Sequence, residues 1–400
     1  MQIFVNPKFN FVKYRWHGVI VSVLIVLTGL AFFMMKGVDL GIDFAGGANI
    51  VLKFKGDVPL DTLRQQLPDA TIQQYGKAAD HAVLIRLPQQ GREGDYAGQV
   101  VSTLNQKLNP EATSKHDLNY LGKDRLADLL RTADPDVKGT NPAAEQYYLS
   151  ISQRIIDARS IAGIFTAMDQ ISKVPGVTAG VMRVISERAF LGQFNVLNQE
   201  TVGPQVGSEL QKKAILAIVL SSIAMGLYIS LRFDLIFGVS AVICIIHDVA
   251  IAMAFLVMAR LEFSLNVVAA LLTIVGYSIN DTVVMYDRVR ENQRKTKSSM
   301  PLAAQLNLAI NQTLSRTILT SGTVFLVLLA MLAFGGNVIR GFSWILTIGV
   351  ISGTYSTLLV VPAFAILLDR WLSNRRNGAP IPARADADLG VTPPAKRKVS

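Results

Sequence analysis

With a single cysteine, Cys244, this 400-residue chain forms no internal disulfide, and its cysteine usage identifies no redox compartment. The four histidines, His17, His81, His116 and His247, lack metal-ligand spacing, so no metal site is expected. No nucleophile elbow, zinc-helix motif or clustered Ser/His/Asp set is present. Gly41-Ile42-Asp43-Phe44-Ala45-Gly46-Gly47 looks superficially like a phosphate loop. It lacks the Gly-Lys-Ser/Thr ending and a preceding strand, so its glycines read as a tight turn instead. The expectation is a protein that is not an enzyme and needs no cofactor. Charge is scarce as well: 17% of residues are charged, against about 25% in soluble domains.

Apolar sequence takes the place of the missing charge. Long runs fall at Val19–Met35, Ala214–Leu231, Leu235–Ala259, Val267–Tyr286, Ile318–Phe334 and Phe342–Leu368. Each is near or above the roughly 17–25 residues that cross about 30 Å of hydrocarbon. They predict a polytopic α-helical membrane protein with six transmembrane helices. The first run is too long for the apolar core of a signal peptide, and Met-Met-Lys-Gly is a poor cleavage site, so it reads as a retained helix.

Basic residues set the orientation. Lys8, Lys13 and Arg15 place the N-terminus in the cytoplasm, and Arg288, Arg290, Arg294, Lys295 and Lys297 then fall inside too. So does the tail with Arg370, Arg375, Arg376, Lys396, Arg397 and Lys398. The formal charge of +10 is mostly this positive-inside pattern, with attraction to anionic membrane lipid. Nucleic acid is not an expected partner, because the basic residues sit at membrane flanks without interleaved aromatics.

The predicted organisation is a cytoplasmic N-terminus (1–18), a first membrane helix (19–35), a periplasmic α+β domain (36–211), a five-helix membrane region (212–372) and a disordered cytoplasmic tail (373–400). In the outer domain, Ala48–Lys55 alternates as a strand, with Ile50, Leu52 and Phe54 on one face. Leu60, Leu63 and Leu67 keep helical spacing. Strands at Thr71–Gly76 and Ala82–Leu87, a helix at Tyr96–Leu108 and a strand at Gln193–Val202 follow. The order β-α-β-β-α-β is ferredoxin-like, with a mainly helical insert at about Pro110–Arg188. Before the fifth span, Leu302, Leu306, Ala309 and Ile310 share a face of an amphipathic helix, expected to lie at the interface and cover the bundle or meet lipid. A plain connecting helix fits that spacing equally well.

A few polar residues interrupt the spans, and intramembrane carboxylates are expensive enough to need a partner, a wet cavity or a function. On the fourth span Tyr277, Asn280, Asp281 and Arg288 share one helix face by spacing. Asp281 lies about 21 Å from Val267 at 1.5 Å per residue, in the inner half of the bilayer. It is a candidate proton carrier; the alternative is a carboxylate that only ties helices together. His247-Asp248 in the third span, near the midplane, can pass a proton or fix helix packing. Arg316 opens a second stripe with Thr313, Thr320 and Thr323. It is either a partner for Asp281 whose hold depends on protonation or a snorkelling anchor. An oxygen-rich site of this kind suits a proton or a sodium ion.

Several motifs resemble one family, SecF, in order along all six spans. They are G-I-D-F-A-G-G at 41–47, V-G-P-Q-V-G-S-E-L at 202–210, L-R-F at 231–233, H-D-V at 247–249, A-A-L-L-T-I-V-G-Y-S-I-N-D-T-V-V-M-Y-D-R-V-R-E-N at 269–292 and N-Q-T-L-S-R-T at 311–317. Ala45 stands where the family pattern has Thr, and the insert and tail are longer than that pattern. The resemblance implies a Sec-pathway export subunit in the bacterial inner membrane. Such a subunit works with SecD in a twelve-helix assembly similar to the resistance-nodulation-division superfamily. It implies use of the proton-motive force to help an unfolded preprotein leave the SecYEG channel. By position it marks Asp281 and Arg316 as proton-coupling residues, with Asn280, His247 and Asp248 as further candidates. The alternatives are a small-molecule proton antiporter of the related superfamily, which six spans would only half build, and a scaffold in which Asp281 merely packs.

Overall fold

In the computed structural model, which describes residues 7–88, 96–139, 141–296, 300–336 and 339–377, six helices are long and apolar enough to cross a membrane. We label them M1 (Phe11–Lys36), M2 (Pro204–Arg232), M3 (Leu235–Met258), M4 (Leu265–Thr296), M5 (Leu302–Phe334) and M6. M6 runs through Arg340–Tyr355, a π-helical turn at Ser356–Val360 and Val361–Asn377. The cause of that turn is local. Pro362 has no N–H to return to the carbonyl four residues before it, so the helix widens just ahead of the proline. Residues 378–400, which hold most of the expected disordered tail, lie outside the described residues, as does Lys297.

M3, M4 and M6 form the centre of the bundle, while M1, M2 and M5 keep apolar faces exposed, among them Leu24, Leu27, Leu220, Ile223, Leu326 and Val327. A soluble surface rarely carries so much contiguous apolar area, whereas a bilayer-facing one does. M5 corrects one expectation. The segment from Leu302 is not a separate interfacial helix but the first turns of a single helix that continues to Phe334. Leu306, Ala309 and Ile310 are buried against Cys244, Tyr286 and Val289, so this face covers the bundle.

Between M1 and M2 stands the outer domain. Its antiparallel sheet has the order β2-β3-β1-β6, formed by β1 (Gly47–Phe54), β2 (Thr71–Gln74), β3 (Ala82–Leu87) and β6 (Phe194–Val202). Alternation along the strands sends Ile50, Leu52, Phe54, Val83, Ile85 and Leu87 to one face. Leu63 of helix Leu60–Gln66 and Val101 and Leu104 of helix Tyr96–Leu108 cover that face. Order and connectivity match the ferredoxin-like expectation.

The insert has its own core, built around Leu126, Leu130, Tyr148, Ile151, Val181 and Ile185 of helices Lys123–Ala133, Pro142–Ala162 and Ala179–Arg188. The short strands β4 (His116–Asp117) and β5 (Ala189–Phe190) close it at the sheet. A polar hub fixes the joint. Asp117 Oδ1 accepts from the backbone N–H groups of Gly192 (2.7 Å) and Asn119 (2.9 Å). The Asn119 amide spans Phe165 and Gly192, and Lys55 donates to the Leu191 carbonyl at 2.5 Å.

The outer domain is riveted to the bundle through the Gly41–Gly47 turn. Gly46 and Gly47 have φ of 73° and 123°, values that side chains resist, as the chain passes from the short helix Ile42–Ala45 into β1. Phe263, in the M3–M4 loop, donates to the Asp39 carbonyl (2.7 Å) and accepts from Gly41 N–H (2.9 Å). The Asp43 carboxylate accepts Leu265 N–H at 2.8 Å, and Phe44 stacks on Phe263. Arg260 pairs with Asp39 at 2.8 Å, and Arg86 of β3 pairs with Glu262. On the M2 side Gly207 comes so near Phe44 that a β-carbon would sit 2.9 Å from its carbonyl oxygen.

Burial raises the Asp117 carboxyl above its ordinary range, partly offset by the Gly192 and Asn119 N–H groups, Lys55 and Arg159. A carboxyl that binds its proton more tightly when folded stabilises most below its unfolded value, about 3.9, and that contribution is lost as pH rises through the folded value. Asp117→Asn removes the titration while keeping an acceptor for the two N–H groups. Thermal denaturation in detergent is expected to show a wild-type melting temperature that falls relative to the variant as pH rises above the unfolded carboxyl value of about 3.9.

Candidate functional site

Asp248 is fully buried at the centre of M3. His247 Nδ1 (2.9 Å) and Ser352 Oγ of M6 (2.6 Å) meet its Oδ1. Ser278 Oγ of M4 (2.5 Å) and Ser356 Oγ of M6 (3.0 Å) donate to Oδ2, and the Cys244 thiol approaches the same oxygen at 3.8 Å. A carboxylate offers about four lone-pair positions, and here they are filled. With Nδ1–H aimed at Asp248, His247 Nε2 is left as an acceptor beside Ser22 Oγ of M1 (2.7 Å) and Tyr355 OH of M6 (3.0 Å), which also bond each other at 2.6 Å. Four helices thus meet on one carboxylate and its imidazole.

Small residues make this convergence possible. A β-carbon on Gly349 of M6 would overlap Ile274 of M4, and one on Gly353 would lie 3.3 Å from Ser278 Cβ. Gly349-Val350-Ile351-Ser352-Gly353 therefore lets M4 and M6 close in the small-xxx-small manner of membrane helices. M1 and M3 meet the same way at Gly29 and Ala254. The π-helical turn begins at Ser356, directly below Ser352 and Tyr355, where such turns often mark functional positions.

Asp281 is also buried, but it stands in a different environment. Ser321 Oγ of M5 approaches its carboxylate at 3.4 Å, and the Thr320 hydroxyl of M5 lies near it as well. Ser321 in turn accepts from Thr354 Oγ1 of M6 at 2.8 Å. Arg316 is exposed and forms no ion pair with Asp281 among the described residues, although it lies within electrostatic reach. Asn280 is exposed while Asp281 is buried, because adjacent residues on a helix point about 100° apart.

The predicted single stripe therefore divides. Arg288 pairs with Glu291 (2.5 Å) and Gln312 (2.6 Å) at the inner end of the helix. Tyr277 keeps a buried hydroxyl with no well-formed hydrogen bond among the described residues, close to Ser321. The second stripe hardly reaches across: Thr313, Thr320 and Thr323 donate to carbonyls of their own helix, and of the three Thr320 also lies near Asp281.

The residues that sequence reasoning missed are mainly hydroxyls: Ser22, Ser278, Ser321, Ser352, Thr354, Tyr355 and Ser356. Their signal was present in Ser-Gly-Thr-Tyr-Ser-Thr at 352–357, a hydroxyl cluster inside an apolar run. Cys244, silent as a redox residue, lies against Asp248 and Ser356.

Known proteins match along nearly all of the chain. A family model for "Protein export membrane protein SecD/SecF, C-terminal" matches residues 183–371, and one for the "SecD/SecF GG Motif" matches residues 31–58. A protein translocase subunit SecF of Koribacter versatilis is 37% identical over 96% of this chain and 98% of its own length. One from Helicobacter pylori is 29% identical over 92% of this chain and 90% of its own length. The crystal structure of SecDF from Thermus thermophilus, a translocon-associated membrane protein, superposes with a TM-score of 0.63 at 29% identity. That match covers 92% of this chain and 40% of the longer one.

Replacing Gly349 by Val forces M6 away from Ile274 and loosens the cradle around Asp248. We expect a loss of about 1–3 kcal/mol, typical of overpacking, seen as a lower melting temperature in detergent. A melting temperature equal to wild type would show that the M4–M6 contact tolerates added volume.

Proposed function

This chain belongs to the SecF family of protein translocase subunits, and on that premise we propose that it couples the proton-motive force to preprotein export. As a family member it is a multi-pass inner-membrane subunit of Sec-dependent protein transport, a transport role rather than catalysis. In the proposed reading it works beside a SecD-like subunit. The Thermus relative supports that pairing, since a chain named SecDF contains a stretch like this one. The pair assists an unfolded preprotein as it leaves the SecYEG channel on the periplasmic side.

The observation that carries the reading is the contrast between the two buried carboxylates. Asp248 has its lone pairs filled by donors on three helices, which suits a fixed packing centre. Asp281 is buried with only hydroxyl support from M5, a long contact to Ser321 and the nearby Thr320, and an arginine near but not in contact. An ionised group so thinly supported makes the packing of M4 against M5 sensitive to whether it carries a proton.

Uptake of a proton from outside removes the attraction to Arg316 and changes which M4–M5 packing is favoured; release to the cytoplasm restores it. Asn280, on the exposed side of M4, faces lipid or the partner subunit. His247 and Asp248 carry the change towards M1. The outer domain follows because the Gly41–Gly47 turn is bonded to the M3–M4 loop.

Asp281→Asn is expected to reduce proton-dependent export in reconstituted vesicles to background while the complex still assembles. Export that keeps its full dependence on the proton gradient in this variant would overturn the reading.

A further inference from the structure

Thr354 and Ser321 link the two buried carboxylates through M6. Thr354 belongs to the same turn as Ser352, Tyr355 and Ser356, which hold Asp248 and His247. Its Oγ1 lies 2.8 Å from Ser321 Oγ and 2.7 Å from the Val350 carbonyl. Ser321 Oγ lies 3.4 Å from Asp281. Four groups in a row therefore share two hydroxyl protons, since each hydroxyl donates once.

Along that row two orderly arrangements exist, with the Tyr277 hydroxyl beside Ser321 and the Thr320 hydroxyl beside Asp281 at its flank. With Asp281 ionised, Ser321 donates to the carboxylate and Thr354 donates to Ser321. With Asp281 protonated, its own O–H donates to Ser321, Ser321 donates to Thr354, and Thr354 donates to the Val350 carbonyl. No proton leaves either hydroxyl in the exchange; each O–H rotates, and the donor direction reverses. We propose that Ser321 and Thr354 act as positioning residues, a two-hydroxyl switch that reports the protonation state of Asp281 to the M6 turn holding Asp248. The inference deepens the proton-coupled reading and rests on it.

Three features favour a switch over a passive contact. The row crosses three helices, M4, M5 and M6, so its reversal acts between elements. It ends on Val350, two residues before Ser352, so the reporting carbonyl and the Asp248 ligand share one turn. The π-helical turn follows at once, where backbone hydrogen bonding is already altered. The titratable and charged groups facing this network are Tyr277 of M4 and Arg316 of M5 around Asp281, with His247 and Cys244 of M3 and Tyr355 of M6 around Asp248. M1 contributes Ser22, which does not titrate in this range.

The test uses the full chain with its SecD-like partner in vesicles, comparing wild type, Thr354→Val, Thr354→Ser and Asp281→Asn. Infrared titration of the protonated-carboxyl band, with Asp281→Asn as the subtraction control, reads Asp281 directly. Proton flux measured against pH reads the coupled event. Thr354→Val preserves shape and removes the hydroxyl, and it is expected to move both profiles by about half to one pH unit, the scale of one neutral hydrogen bond. Thr354→Ser is expected to restore them. Profiles unmoved in Thr354→Val overturn the switch, and so does a shift that Thr354→Ser fails to reverse, which would mark a steric role. Proton flux retained in Asp281→Asn would sink the underlying reading instead. Flux lost there beside an unmoved Thr354→Val profile would sink the switch alone.

Discussion

A carboxylate enclosed by apolar helices must find hydrogen-bond donors in protein, because hydrocarbon supplies none, and Asp248 finds its donors on neighbouring helices as well as its own. Ser278 on M4, Ser352 and Ser356 on M6 and His247 beside it converge on two oxygen atoms. Each hydrogen bond to an ionised group contributes about 1.5–3 kcal/mol, so together they fix the relative height and rotation of M3, M4 and M6. His247 extends the constraint to M1 through Ser22. Lipid-facing apolar residues give these helices no such registration, since tails and side chains are alike in polarity.

M6 is the helix most shaped by this demand. Its glycines let M4 approach, its serines and tyrosine serve the Asp248–His247 pair, and Thr354 turns towards M5. These duties all fall within 349–356, just before Pro362 forces the wider π-helical turn. Asp281 of M4, linked to M6 through Ser321 and Thr354, has far weaker support. One carboxylate fixes the packing, and the other leaves it adjustable. A bundle with that asymmetry has both a pivot and a place that can yield.

How much of this was legible beforehand follows from the kind of signal. Six spans and the ferredoxin-like order were readable, because apolar length and strand alternation are local properties of sequence. The continuity of M5 was not, because its amphipathic start and apolar remainder look like two elements until Leu306 and Ile310 are seen against Tyr286. Four of the five candidate positions were found by cost, since a charge or imidazole within a span is conspicuous, and Asn280 by its place beside Asp281. Their grouping was not. Spacing put Asn280 and Asp281 on one face, yet burial separates them; Arg316 matched by position but stands apart in this packing. The serines and Thr354 were overlooked because a hydroxyl inside a helix usually bonds its own backbone, as Thr313 and Thr320 do. Which hydroxyls cross to another helix depends on interhelical distance, which no single stretch of sequence carries.

The joint between outer domain and bundle has a consequence for how such a protein can diverge. Its main bonds, Phe263 to Asp39 and Gly41 to Phe263, run from backbone to backbone. Substitution cannot delete a main-chain amide or carbonyl unless it brings in proline or distorts the turn. Side chains over the rest of the domain, and a helical insert with its own core, are thus free to drift or be exchanged while the attachment persists. Lineages can refashion what the outer domain touches without having to reinvent how it is held.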